Sequence, residues 1–198
     1  MLLKIYKRVL SSIEQSNNPN NRTILVIAPR HFEKADAVEA NIRKAGFGCI
    51  RRSRNQAIEQ SEQSEQSNNV YLADTTGELM GLYGIADVVF VGKSLCAHGS
   101  QNMIEPCLCG KPTFVGPYTE NFRPVMSDLL AADAIVQVKD AAELEERIVE
   151  QFASLTSGAD TASPLGGAAS SLGTRAKAAV ERRLGVVAKC VGEIREVL

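Results

Sequence analysis

Residues 86–116 read ADVVFVGKSLCAHGSQNMIEPCLCGKPTFVG. Two short apolar runs rich in valine and phenylalanine, ending at Val91 and Val115, flank a glycine- and serine-bearing bend that holds His98, one of only two histidines in the chain. Asn102, Ile104, Glu105 and Pro106 follow the bend. Apolar runs of this length bounded by turn residues read as buried strands. Glu105 followed by Pro106 fits a helix entry, where the missing proline N–H is harmless. Ordinary connectors are short and polar, so a connector that puts a histidine, an asparagine and a glutamate between two core strands reads as a site.

Outward from this unit the same alternation recurs. TILVIAP (23–29) reads as a buried strand, and FEKADAVEANIRKAG (32–46) follows with Ala35, Val38, Ile42 and Ala45 at helical spacing, closing at Gly46. FGCIRRS (47–53), NVYLAD (69–74), ADVVFVG (86–92), KPTFVG (111–116) and DAIVQVK (133–139) supply further strands. The pattern predicts an α/β fold: a Rossmann-like parallel sheet of about six strands with helices on both faces. The core domain is expected over 21–155, after an amphipathic helix and linker at 1–20. The Ser-Glu-Gln repeat of 55–69 is expected to be a mobile surface insertion, 156–172 a flexible linker, and 173–198 a last helix with Leu184, Val187, Val191, Ile194 and Leu198 as its apolar stripe.

Composition narrows the function classes. With 198 residues the chain suits one domain of ordinary size or slightly more. Acidic and basic residues nearly cancel, 23 against 22, aromatics are 5% and tryptophan is absent, which argues against a nucleic-acid partner. Cys49, Cys96, Cys107, Cys109 and Cys190 lack CxxC spacing and read as reduced, buried thiols. Cys107, Cys109 and His98 have no second ligand pair, so no metal is expected. The opening MLLKIYKRVLSSIEQS places Leu3, Tyr6, Val9, Leu10 and Ile13 on one face, for packing on its own domain or against a membrane surface, and is too short in apolar run for a signal sequence or a span.

In a parallel sheet, ligands bind beyond the carboxyl ends of the strands. After the first strand, Arg30 and His31 offer a guanidinium fork and an imidazole to an anion. After the third, Thr75 and Glu78 have capping-box spacing, and Gly77 suits close approach of a base or sugar. After the fourth, Gly92, Ser94, Gly99 and Ser100 form a bend whose N–H groups can cradle phosphate. Glu105 reads either as a helix-start carboxylate or as an acceptor for two vicinal hydroxyls of a ribose. His98 reads as a base, a phosphate donor or a satisfied surface histidine. No nucleophile elbow or paired carboxylates stand out, so the chain looks equipped to hold a nucleotide rather than to run a reaction.

IAPRHFEKADAV, TTGELMGLYGIADVVFVGKSL, HGSQNMIEPCLCGKPTFVGPYTENFR and LLAADAIVQVKDAAELEERI resemble, in order and spacing over about residues 20–150, the C-terminal half of the 3-deoxy-D-manno-octulosonic acid (Kdo) transferases. The resemblance implies the donor half of a GT-B glycosyltransferase, a metal-free enzyme that transfers Kdo from CMP-Kdo to lipid A precursor at the cytoplasmic face of the inner membrane in lipopolysaccharide biosynthesis. It implies donor contacts at Arg30, His31, Gly77, Glu78, Ser94, His98, Gly99, Asn102 and Glu105, with Asn121 and Arg123 in the matching NFR segment. It assigns the catalytic glutamate to an N-terminal acceptor-binding half, which would be this chain's partner, so the isolated chain is expected to be soluble, to bind donor and not to transfer sugar, with no catalytic residue of its own. The family's usual glycines are replaced by Lys93 and Ser100, and its leucine by Ile104. The opening helix and the last helix are expected to meet the acceptor half. The competing readings are a UDP-sugar-dependent GT-B transferase or epimerase, and a non-catalytic nucleotide-binding module.

Overall fold

The computed structural model describes residues 1–14, 23–54, 69–157 and 172–183. Most of the repeat at 55–69, most of the linker at 156–172, the stripe from Leu184 to Leu198 and Cys190 lie outside them. The chain divides into two compact units, Met1–Leu79 and Met80–Leu198.

The first unit holds α1 (Leu2–Glu14), β1 (Leu25–Ile27), α2 (Ala35–Lys44), β2 (Gly48–Arg51) and β3 (Asn69–Leu72). Its sheet runs β1-β3-β2, all parallel, with Leu25 and Cys49 both in register with Val70. These three side chains share a row, and Tyr6 of α1 and Ile42 of α2 pack against it. The apolar face of α1 is thus buried within its own unit: Ile5, Tyr6, Val9 and Ile13 are each under a tenth exposed. The Tyr6 hydroxyl donates to the Thr23 carbonyl at 2.8 Å. That corrects the expectation of a face reserved for an acceptor half, since burial in the parent unit already removes the stripe from water. α2 ends as its Gly46 predicts: Gly46 is at φ +87°, its N–H donates to Arg43 O (3.0 Å) and that of Phe47 to Ile42 O (3.3 Å), a Schellman motif. β1, expected as a buried strand, is an edge strand with Val26 exposed, whereas all four residues of the central β3 are buried.

The second unit holds α3 (Leu79–Ile85, which begins one residue before the boundary), β4 (Val89–Val91), α4 (Ile104–Leu108), β5 (Thr113–Val115), α5 (Arg123–Ala131), β6 (Val136–Gln137), α6 (Ala141–Ser157) and a helical stretch α7 at 172–183. Its sheet is β4-β5-β6, again all parallel. The six strands therefore form two three-stranded sheets rather than one, each inside its own unit. Central β5 is wholly buried, as a parallel strand covered on both faces must be. Val89, Val91 and Val115 pack with Met103 and Cys107 of the β4–α4 segment, Met126 and Leu129 of α5, and Ala176, Ala179 and Val180 of α7. Residue 172 belongs to that last helix, not to a linker: Leu172 is 3% exposed, and a Cβ on Gly173 would stand 1.9 Å from the Gly110 carbonyl oxygen. Among the described residues no helix is long and apolar enough to cross a membrane.

Candidate functional site

Each unit carries its candidate residues at the carboxyl ends of its own strands. In the first, Arg30 and His31 lie exposed just past β1. His31 is extended (φ −112°, ψ 98°), its carbonyl accepts the Lys34 N–H at 3.1 Å, and its ring stands 4.0 Å from the Glu33 carboxylate.

Beyond β3 the capping box does not form, because α3 begins only at Leu79, one residue past Glu78. Thr75 instead donates its hydroxyl to Glu78 at 2.5 Å, and Arg52 grips the same carboxylate through Nε (2.9 Å) and Nη2 (2.6 Å). The Arg52 hydrogen bonds, with that of Thr75, hold the Glu78 carboxyl down at about 2. Gly77 sits in the bend ahead of the helix at φ +86° with open space around its Cβ position. Its backbone conformation alone requires glycine, so close approach of a ligand is not needed to explain it.

A polar cluster with no motif lies beside this bend. Asp74, 7% exposed, accepts from the Ser53 N–H (2.8 Å), the Ser53 hydroxyl (2.6 Å) and Arg51 Nε. Arg51 also bonds Asp36 and, at 3.3 Å, Glu39. Burial pushes the Asp74 carboxyl up, but the hydrogen bonds from Arg51 and Ser53 together hold it below its ordinary value.

In the second unit the β4–α4 loop is braced by several side chains. Ser94 is fully buried: its hydroxyl donates to the Val91 carbonyl (2.7 Å) and accepts the Gly116 N–H (2.8 Å), tying the end of β4 to the end of β5. With its one proton committed, Ser94 shapes the loop and has none left for a phosphate, which corrects its expected role. Gly116 is required by space, since a Cβ there would fall 2.4 Å from Ser94 O and 2.7 Å from Leu95 N.

The turn at Glu120–Phe122 clasps the bend from the other side. Glu120 accepts from His98 Nδ1 and from the Gly99 N–H, both at 2.9 Å, while Asn121 accepts the Ser100 N–H (2.8 Å) and donates to the Ser100 carbonyl (3.0 Å). Asn121 is thereby a brace rather than a free ligand group. His98 is exposed, its ring set edge-on to Tyr118 at 4.9 Å, and its bond to Glu120 makes it a satisfied surface histidine. The His98 hydrogen bond, helped by backbone N–H donors, holds Glu120 at about 2. The Ser100 hydroxyl is buried without a hydrogen-bond partner among the described residues. Lys93 adopts φ +71°, in the left-handed region that favours glycine.

Asn102 and Glu105 come together: Asn102 Oδ1 accepts the Ile104 N–H and its Nδ2 donates to Glu105 Oε1, both at 2.9 Å. Asn102 thus opens α4 while orienting Glu105, whose Oε2 has no hydrogen-bond partner among the described residues. Half-buried Tyr83 has its hydroxyl pushed up to about 12, by desolvation first and then by the Glu105 charge. Arg123 is exposed at the start of α5, without an ion pair among the described residues. Cys107 is buried and raised to about 11 by burial, but Cys96, expected to be buried, is exposed on the loop. No group of three His, Cys, Asp or Glu side chains among the described residues is arranged to hold a metal. Of this constellation, sequence reasoning missed Asp74, Arg51 and Glu120. Glu120 lies 22 residues from His98, and no local pattern announces such a pairing.

No family model matches the chain. It is 35% identical over 150 residues to the 3-deoxy-D-manno-octulosonic acid transferase of Haemophilus influenzae, covering 76% of this chain and 32% of that protein. It is 33% identical over 137 residues to the enzyme of the same name from Bordetella pertussis, covering 69% of this chain and 31% of that protein. The chain thus spans about a third of the length of these relatives. Among solved structures, the C-terminal CMP-Kdo binding domain of WaaA from Acinetobacter baumannii superposes with a TM-score of 0.64 at 24% identity, covering 89% of this chain and 98% of that one. The chain is a homologue of the Kdo transferases and has the α/β fold of the C-terminal domain of one of them.

Proposed function

We propose that the chain binds CMP-Kdo and serves as the donor half of a glycosyltransferase that transfers Kdo to lipid A precursor at the cytoplasmic face of the inner membrane. The observation that carries the reading is the Asn102–Glu105 pair: Asn102 holds one carboxylate oxygen of Glu105, in the first turn of α4, and leaves the other without a partner among the described residues. A carboxylate fixed in this way accepts hydrogen bonds from the two vicinal hydroxyls of a ribose. Ser94, His98, Gly99 and Asn121 contribute by holding the loop in shape, and the exposed Arg123 is assigned to the phosphate. Of the first unit's candidates, Gly77 is accounted for by its backbone conformation and Glu78 by its bonds to Arg52 and Thr75, so neither is assigned a donor contact.

Transfer also needs a base that removes the acceptor hydroxyl proton. Glu105 is engaged with ribose in this reading, and Glu78 and Glu120, held at about 2, are poor proton acceptors near neutral pH. As the resemblance implies, donor binding is assigned to this chain and transfer to its combination with an acceptor-binding half. Calorimetric titration with CMP and UMP tests this. CMP is expected to bind in preference to UMP, and Glu105→Ala to weaken CMP by about 1.5–3 kcal/mol, the worth of a charge-assisted hydrogen bond. Equal binding of both nucleotides, or an unchanged affinity in Glu105→Ala, would sink the reading.

A further inference from the structure

The bend after β4 invites a phosphate cradle of backbone N–H groups, but five of its donors are committed elsewhere. The N–H groups of Cys96 and Ala97 bond the Lys93 carbonyl (3.0 and 3.1 Å), that of Gln101 the Gly92 carbonyl (3.3 Å), that of Gly99 the Glu120 carboxylate (2.9 Å) and that of Ser100 the Asn121 amide oxygen (2.8 Å). A carboxylate seated against Gly99 also repels a second anion. The cation at this bend is Lys93. Its left-handed backbone turns the side chain over the loop, so that Nζ lies 3.4 Å from where a Cβ on Gly99 would stand, and the residue is exposed. No hydrogen bond or ion pair engages that ammonium among the described residues.

We propose that Lys93 is a phosphate-binding residue: its ammonium offsets Glu120 and supplies the positive charge that the five committed backbone N–H groups cannot. The left-handed conformation, a strain of about 1–2 kcal/mol for a residue with a Cβ, is then the cost of placing a charge where a glycine would be more comfortable. The inference rests on the donor-binding reading above, with the phosphate of a cytidine nucleotide as ligand.

The test is titration of CMP and of phosphate-free cytidine into the full chain, its Lys93→Met variant and its Lys93→Gly variant, at two salt concentrations. Lys93→Met is expected to lose about tenfold or more in CMP affinity, to show a shallower salt dependence and to bind cytidine unchanged. Lys93→Gly relaxes the backbone and removes the charge, so it is expected to fold at least as well and still bind CMP as weakly as the methionine variant. CMP binding by Lys93→Met equal to that of the parent chain, or tighter CMP binding by Lys93→Gly, overturns the role of Lys93 while donor binding stands. Failure of the parent chain itself to bind CMP overturns both.

Discussion

Gly116→Ala isolates the contact on which the β4–α4 loop depends. Gly116 is not in the left-handed region, so alanine meets no backbone penalty of its own. The added Cβ, however, falls 2.4 Å from the Ser94 oxygen and 2.6 Å from its carbonyl carbon, both backbone atoms that cannot step aside as a flexible side chain would. Overpacking of this kind costs about 1–3 kcal/mol. Relief by moving the strand ends apart stretches the Gly116 N–H to Ser94 Oγ bond (2.8 Å) and the Tyr118 N–H to Ser94 O bond (3.0 Å). Leaving a buried donor unsatisfied adds about 1–3 kcal/mol. The expected loss is about 3–5 kcal/mol, or about 6–20 °C in melting temperature for a chain of this size. Melting followed by circular dichroism reads it. Ser94→Ala breaks the same clasp from the other side, so the double variant is expected to lose less than the sum of the two singles. A loss below about 1 kcal/mol in Gly116→Ala would refute the close approach, and full additivity with Ser94→Ala would show that the Gly116 N–H to Ser94 Oγ bond is not what the alanine disturbs.

Two further expectations concern the polar network. Glu120 and Glu78 both titrate in the folded chain at about 2 instead of the ordinary 4.5, so the stability they contribute is present above about pH 4.5 and is lost as pH falls toward about 2. Acid unfolding monitored from pH 6 to 2 is expected to show this decline, with a shallower slope in Glu120→Gln than in the parent; an identical slope would mean that the clasp on His98 and Gly99 does not hold in solution. Asp74→Ala removes the buried partner of Arg51 and Ser53, and since Arg51 keeps Asp36 and Glu39 the loss is expected near the low end of the range for a broken buried pair, about 3 kcal/mol by urea titration. A loss within 0.5 kcal/mol would show the cluster to be a surface feature only.

The strands were legible because each is a short β-branched run closed by turn residues, and α2 was legible to its last turn because Gly46 announces a left-handed cap. Less visible was the depth of each strand: TILVIAP is as apolar as ADVVFVG, yet β1 lies at an edge with Val26 exposed. Likewise α1 shows a stripe in sequence, but only the packing of Tyr6 on Ile42, Phe47 and Val70 says what that stripe meets.

At the candidate site the residue types and their order along 91–123 were set by sequence: a bend, an asparagine opening a helix, and a glutamate at its first turn. Tertiary structure decided which of those groups remain free to bind. Ser94, Gly99, Ser100 and Asn121 look like ligand donors in one dimension, and the fold turns them inward onto one another and onto Glu120. Hydrogen-bond capacity is local to a residue, but satisfaction depends on partners 21 or 22 positions away that only the folded chain brings within 3 Å. The same holds for Lys93, whose charge is written in the sequence but whose place over the bend follows from a backbone angle that only the fold imposes.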